Sequence, residues 1–294
     1  MTYQEISSNK RKSIFLVIIF ILVIIGLGYF FSFALDRESY GLIALAIVIS
    51  LVMTLVSYFQ GDKIALYSSG AQAITKEQNP RLYRIVENLS IASGIPEPKI
   101  YIMPDSAINA FATGRSPQKA SIAVTQGALA KLEDTELEGV IAHELSHVKN
   151  YDIRFMMLVA VLVGTIAILA RMLMRFPGKI RLKNDKNNVG LILFVGGIIL
   201  TILAPLIGQL IKLAISRKRE YLADASGALL TRYPEGLASA LEKIKMENQP
   251  IASASEATAP LYFSNPFKAS GLRSWLSTHP PIDERIKRLR NMGS

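Results

Sequence analysis

His143 and His147 stand four residues apart in the run His143-Glu144-Leu145-Ser146-His147. On a helix that spacing turns both imidazoles to one face, where they can grip a single metal ion, and sets Glu144 about 100° round, within reach of a water on that ion. The chemistry is hydrolysis. A zinc ion brings the pKa of its water down towards about 7, and the neighbouring carboxylate takes the proton as the water attacks a carbonyl that the metal polarises. Two surface histidines on an amphipathic helix are the alternative, but the chain holds three histidines in all and two of them fall here. There is no cysteine, so a metal must be held by histidine and carboxylate, and disulfide and thiolate chemistry are excluded.

A hydrolytic metal site needs a third protein ligand and one open position. The candidate is Glu220, in Arg219-Glu220-Tyr221-Leu222-Ala223-Asp224, with Asp224 on the same helical face and able to accept from the outer nitrogen of a metal-bound histidine. A solvated acidic face is the other reading of such a pair; against it, the pair directly follows an apolar segment. His279, in Ser277-Thr278-His279-Pro280-Pro281, can donate to the oxyanion of a tetrahedral intermediate, or is a surface histidine in a stiff proline turn. Arg285, six residues on, can pair with Glu220 or orient His279. Asn109, Ala110, Phe111 and Ala112 begin a run to Thr113 that reads as an edge strand, either receiving an extended substrate backbone or serving the sheet alone.

The elements around these residues are of two kinds. Half of the 294 residues are hydrophobic, and 33 Lys and Arg stand against 23 Asp and Glu for a net charge of +10. Ser13 to Leu35 and Tyr40 to Phe59 are uncharged and long enough to cross a bilayer as a helical hairpin. Lys10-Arg11-Lys12 before them places the N-terminus, and the chain beyond the hairpin, in the cytoplasm. Phe155 to Met174 and Val189 to Ile215 form a second apolar pair, joined by a loop carrying Arg175, Lys179, Arg181, Lys183 and Lys186 against one acid, Asp185; it either crosses or dips in and returns. In both cases Asn150 and Ser216 end on one side.

Between and after these pairs the sequence reads as α+β structure, mostly helical. A helix is expected near Arg81 to Ala92, strands at Lys99 to Met103, Ile108 to Thr113 and Ser121 to Thr125, and a helix from Asp134, with Asp134 and Thr135 as its cap and Leu137, Val140, Ile141, Leu145 and Val148 as its core stripe. Helices follow through Arg232, from Pro234, and from Pro281 to Arg290, the last a basic face near anionic lipid. No nucleic-acid module accompanies it, and no nucleic-acid partner is expected. The expected division is a terminus at 1–12, a hairpin at 13–59, one catalytic part at 60–154, the second hairpin at 155–215, and the other catalytic part at 216–294.

Taken together, Asn109-Ala110-Phe111-Ala112-Thr113-Gly114, His143-Glu144-x-x-His147, Arg219-Glu220-x-x-x-Asp224 and His279-Pro280-Pro281-x-x-x-Arg285 resemble the HtpX family of membrane zinc metalloproteases, relatives of the CAAX prenyl endoprotease. The likeness covers nearly the whole chain. It implies a zincin-like (gluzincin) catalytic domain with a small edge-strand sheet in a multi-pass protein of the bacterial plasma (inner) membrane. It also implies one Zn2+ per chain on His143, His147 and Glu220, with Glu144 as general base and Asp224 behind the ligands. His279 and Arg285 would form a polar wall facing substrate. Its function would be quality control of damaged or misfolded membrane proteins, often within a stress response.

Two other functions fit parts of the sequence. A zinc-stabilised membrane scaffold or holdase would use the same hairpins, but a structural metal site has no need of Glu144 beside an open position. A transporter is disfavoured because no charged residue lies within the first two spans to mark a polar path.

Overall fold

Long uncharged runs make long helices, since every backbone polar group is then satisfied within its own segment. The computed structural model describes residues 2–34, 40–175, 191–192, 194–202, 217–255, 258–267 and 280–292. Helices α1 (Thr2–Ala34) and α2 (Tyr40–Ser68) open the chain, and α6 (Asp152–Arg175) follows the helix that carries His143 and His147. Among the described residues these three are long and apolar enough to cross a membrane, over Ser7–Phe33, Ala44–Ser68 and Asp152–Met174. The α1 and α2 stretches are 22% buried within the protein, whereas that of α6 is 65% buried. So α6 is the inner helix, and α1 and α2 turn Phe15, Leu22, Phe33, Leu45, Val52 and Leu55 outward. On their inner faces Leu16, Phe20 and Ile24 pack with Leu158, Leu162 and Ile166. The basic loop, His279 and much of the fourth apolar segment lie outside the described residues.

The sheet contains β1 (Gln72–Ala73), β2 (Lys99–Met103), β3 (Ala110–Gly114) and β4 (Ala120–Thr125), in the order β1-β2-β4-β3. β2 and β4 are parallel, and the outer strands are antiparallel to their neighbours. β3, placed at Ile108 to Thr113 from the sequence, begins two residues later and stands at an edge. The short β1 was not legible: both its residues are exposed, so it carries no apolar alternation.

Helix α3 (Pro80–Ser93) packs on α5 (Asp134–Lys149), with the short α4 (Gln126–Lys131) before it. Every residue of the expected stripe of α5, Leu137, Val140, Ile141, Leu145 and Val148, is buried in one core with Leu82, Ile122 and Leu237. The cap is one residue earlier than expected. Glu133 holds the cap position and its N–H donates to the Glu136 carboxylate at 2.8 Å, while Asp134 is the first helical residue and is bound by Arg81. Helices α7 (Arg217–Thr231) and α8 (Pro234–Glu247) cover α5, and α9 (Ile282–Arg290) closes over α8. The two stretches that flank the second apolar pair in sequence therefore share one core.

Close approach of α8 to α5 depends on Gly139, where a Cβ would lie 2.7 Å from the Leu237 backbone nitrogen and 2.8 Å from its Cα. Alanine raises helix propensity by about 1 kcal/mol, but a clash with backbone forces the helices apart at about 1–3 kcal/mol. Gly139→Ala is expected to lower stability by about 1 kcal/mol net, measured by thermal unfolding in detergent; an unchanged or raised melting temperature would contradict this packing.

Candidate metal centre

α5 carries His143, Glu144 and His147 into its buried centre, where all three are nearly inaccessible. The two Nε2 atoms face each other at 3.1 Å. Glu220, in the first turn of α7, brings its carboxylate to 3.8 Å from His143 Nε2 and 3.6 Å from His147 Nε2. Ligand atoms of the three residues all lie within 4.8 Å of one another. A tetrahedral divalent ion with ligands at about 2.0–2.2 Å spaces them roughly 3.3–3.6 Å apart, so the donor set has the right size.

The outer nitrogens fix which lone pairs point inward. His143 Nδ1 lies 2.9 Å from Asp224 Oδ1, and His147 Nδ1 lies 3.0 Å from Asp152 Oδ2. A proton on each Nδ1 leaves each Nε2 as a free acceptor aimed at the common point, which is the tautomer a metal requires. Asp224 thus stands behind His143, a placement its spacing from Glu220 suggests. Asp152 has no such signal. Five residues beyond His147, an unbroken helix would put it about 140° round, but Tyr151 adopts a left-handed conformation at φ 61° that ends α5 and returns Asp152 beneath His147.

Each of these outer carboxylates is matched by an arginine. Arg285 binds Asp224 in a fork, Nε to Oδ2 at 2.9 Å and Nη2 to Oδ1 at 2.7 Å, and its Nη1 donates to the Phe263 carbonyl at 3.1 Å. Of the two sequence readings, a pair with Glu220 or a contact with His279, the first is replaced by an ion pair with Asp224, because α9 brings Arg285 to the Nδ1 side of His143; His279 lies outside the described residues. Being 1% exposed, Arg285 is part of the buried frame and does not form an open wall. Arg219 Nη1 lies 2.9 Å from Asp152 Oδ1. These two pairs cancel their own charges. Glu144 and Glu220 are the two acids of the group that face the imidazole Nε2 atoms, and both are buried.

Burial pushes the Glu144 carboxyl up to about 8, with the His147 charge pulling down and Glu220 adding to the rise. For His147, burial alone favours the neutral ring, but the hydrogen bond to Asp152 and the charges of Glu220 and Asp152 outweigh it and lift the group to about 9. Burial drives His143 down to about 4, and its bond to Asp224 only partly offsets this. Burial would raise Asp224, yet Arg285 and His143 hold it well below the usual carboxylate range. A buried imidazole raised this far reports a negative potential at its nitrogen, the setting in which a cation is favoured.

On the sheet side, the Ala112 N–H donates to Glu144 Oε2 at 2.8 Å, fixing this carboxylate beside the candidate ligands. The expected substrate edge of β3 is partly taken by the chain itself. Phe263 N–H donates to the Ala110 carbonyl at 2.8 Å, Tyr262 bridges to Phe111, and the Asn109 side chain bonds to Ser264 through Nδ2. Phe263 also packs edge-on against the His143 ring, with centroids 4.9 Å apart. Neither Phe263 nor Asp152 was legible from motif spacing; Arg219 had only its place beside Glu220.

Residues 76–293 match peptidase family M48. The chain is 48% identical over 293 residues to a "Protease HtpX homolog" of Dictyoglomus turgidum, covering 99% of this chain and 95% of that one. A protein of the same name from Streptococcus uberis is 42% identical over 298 residues, covering 99% of this chain and all of the other. The crystal structure of S. mikatae Ste24p shares the fold at a TM-score of 0.54 and 20% identity, with 90% of this chain and 62% of that chain covered.

Removing Arg285 would leave Asp224 charged and buried with only an imidazole beside it. Arg285→Ala is expected to cost about 3–5 kcal/mol, as for a broken buried pair, and Arg285→Lys less, since lysine keeps the charge but not the fork. Chemical unfolding of both variants tests this; an alanine variant as stable as the parent would show that the pair does not support the site.

Proposed function

The chain belongs to peptidase family M48 and is a membrane metalloprotease, and we propose that it is a zinc endopeptidase with Glu144 as general base. The observation that carries this reading is the convergence of His143 Nε2, His147 Nε2 and the Glu220 carboxylate beside a buried Glu144. Two imidazoles and one carboxylate are a zinc donor set that leaves a position open, in a gluzincin-like arrangement. Bound there, zinc would polarise the scissile carbonyl and acidify a water.

The protein's own groups do the rest. Glu144, held by the Ala112 N–H, takes the proton of the attacking water and delivers it to the departing amine. Asp224 and Asp152 keep the two imidazoles in the ligand tautomer. An extended substrate backbone would add as a strand along Asn109 to Ala112 by displacing Phe263 from the Ala110 carbonyl. His279 is assigned as donor to the developing oxyanion.

Substrates are polypeptides in or beside the bilayer, including misfolded or damaged membrane proteins. The support is positional: Asp152, under His147, is also the first residue of a membrane-length helix. Residues 60–154 and 216–294 act as one catalytic unit, in a bacterial inner membrane with the site on the cytoplasmic side, as Lys10-Arg11-Lys12 indicates. The scaffold reading is weaker, because it gives no role to a buried Glu144 tied to the metal centre.

Glu144→Gln is expected to retain zinc while cleavage of an unfolded membrane-protein substrate falls by about 10²–10⁴. In the parent, a chelator abolishes cleavage and zinc restores it. Zinc-loaded Glu144→Gln protein that cleaves at the parental rate would refute the base. Since the chain has no cysteine, a single Lys76→Cys reports the side directly: a membrane-impermeant maleimide should label it only in inverted vesicles, and labelling of intact cells would reverse the orientation.

A further inference from the structure

Asn9 lies near the beginning of α1, outside the stretch that matches the peptidase family, yet it is 1% exposed and its side-chain hydrogen bonds lead to residues around the candidate metal centre. Its Nδ2 donates to Asp152 Oδ1 at 2.6 Å and to the Asn150 carbonyl at 3.0 Å, and its Oδ1 accepts from Arg219 Nη1 at 3.0 Å. Both amide hydrogens and the oxygen are therefore used, which fixes the amide's orientation: the flipped form would set an oxygen against two acceptors.

These partners come from three elements. Asn150 ends α5, the helix of His143 and His147; Asp152 begins α6; Arg219 precedes Glu220 in α7. The Asp152 carboxylate is divided between them, with Oδ2 on His147 and Oδ1 shared by Asn9 and Arg219. Arg219 Nη2 is buried and has no hydrogen-bond acceptor among the described residues, so Nη1 carries this arginine's bonds to Asn9 and Asp152. Without the Asn9 amide, nothing described on α1 opposes rotation of Asp152 away from His147 or ties Arg219 to the end of α5.

We propose that Asn9 is a positioning residue of the metal centre, through which the first membrane helix holds Asp152 and so orients His147. The inference rests on reading His143, His147 and Glu220 as metal ligands. It means that α1 is part of the catalytic machinery as well as an anchor. Leucine at position 9 keeps the approximate volume and removes every hydrogen bond; serine keeps a small polar group and serves where leucine prevents folding. Phe20, buried on the same helix among apolar side chains, offers a control that loosens α1 without touching the network.

The full chain in lipid nanodiscs, made with Glu144→Gln to prevent self-digestion, is compared with Asn9→Leu, Asn9→Ser, Asp152→Asn, Phe20→Ala and His147→Ala. Zinc affinity is measured by chelator competition, and ligand geometry by the visible absorption of the cobalt-substituted protein. Asp152→Asn is expected to weaken zinc binding by about 10–100-fold, and Asn9→Leu or Asn9→Ser by about tenfold, the low end for outer partners of a metal-bound histidine. The cobalt spectrum shifts in these variants, while Phe20→Ala lowers thermal stability with affinity and spectrum unchanged. Parental affinity and spectrum in the folded Asn9 variants would overturn the proposal, as would equal shifts in Phe20→Ala. A parent that binds no zinc, or binds it equally well after His147→Ala, would instead overturn the ligand reading beneath it.

Discussion

Four carboxylates, Glu144, Asp152, Glu220 and Asp224, lie buried within one small region, and the cost of taking each charge out of water is several kcal/mol unless another charge answers it. Arg285 answers Asp224 and Arg219 answers Asp152. Glu220 and Glu144 stand instead on the side of the histidines where the Nε2 atoms meet. The arrangement separates two tasks: the outer acids orient imidazoles while neutralised by arginine, and the inner acids keep a negative potential at the point where the two Nε2 atoms meet. Much of the remaining structure can be understood as what is needed to bring those arginines into place.

Each arginine arrives on a different element. Arg285 comes on α9, which is held to α8 and α7, so the last described helix of the chain reaches back over the helix of His143. Arg219 comes on α7, one residue before Glu220. Gly227, further along α7, lets that helix lie close to His143, where a Cβ would be 3.0 Å from the backbone nitrogen. Helix contact, charge neutralisation and ligand placement are therefore one packing problem.

The membrane-length helices are not a separate layer. Met156 and Ala160 of α6 join Ala65 and Leu66 of α2 and the sheet residues Met103, Phe111 and Ala123 in one apolar cluster. The sheet is thus seated on the ends of the same helices whose other turns face outward with bare hydrophobic side chains. Around this junction Arg115 stacks on Phe59, Arg154 on Tyr151 and Lys10 on Tyr151, aromatic and basic residues of the kind that sit where a bilayer meets water.

The sequence by itself determined what depends on local pattern. The four-residue spacing of His143 and His147, the apolar stripe from Leu137 to Val148, the long uncharged helices and the Glu220–Asp224 pair all follow from helical period and composition. What only the tertiary structure decided depends on contacts between distant segments. A left-handed Tyr151 breaks the helical period and carries Asp152 under His147, and Arg285 turns to Asp224 because α9 lies behind α5. Phe263 takes the edge of β3 that looked open, and Asn9, at least 141 residues from each of its partners, joins the same network. Periodicity reports which face of a helix is buried; it carries no information about which charge from elsewhere in the chain will be buried against it.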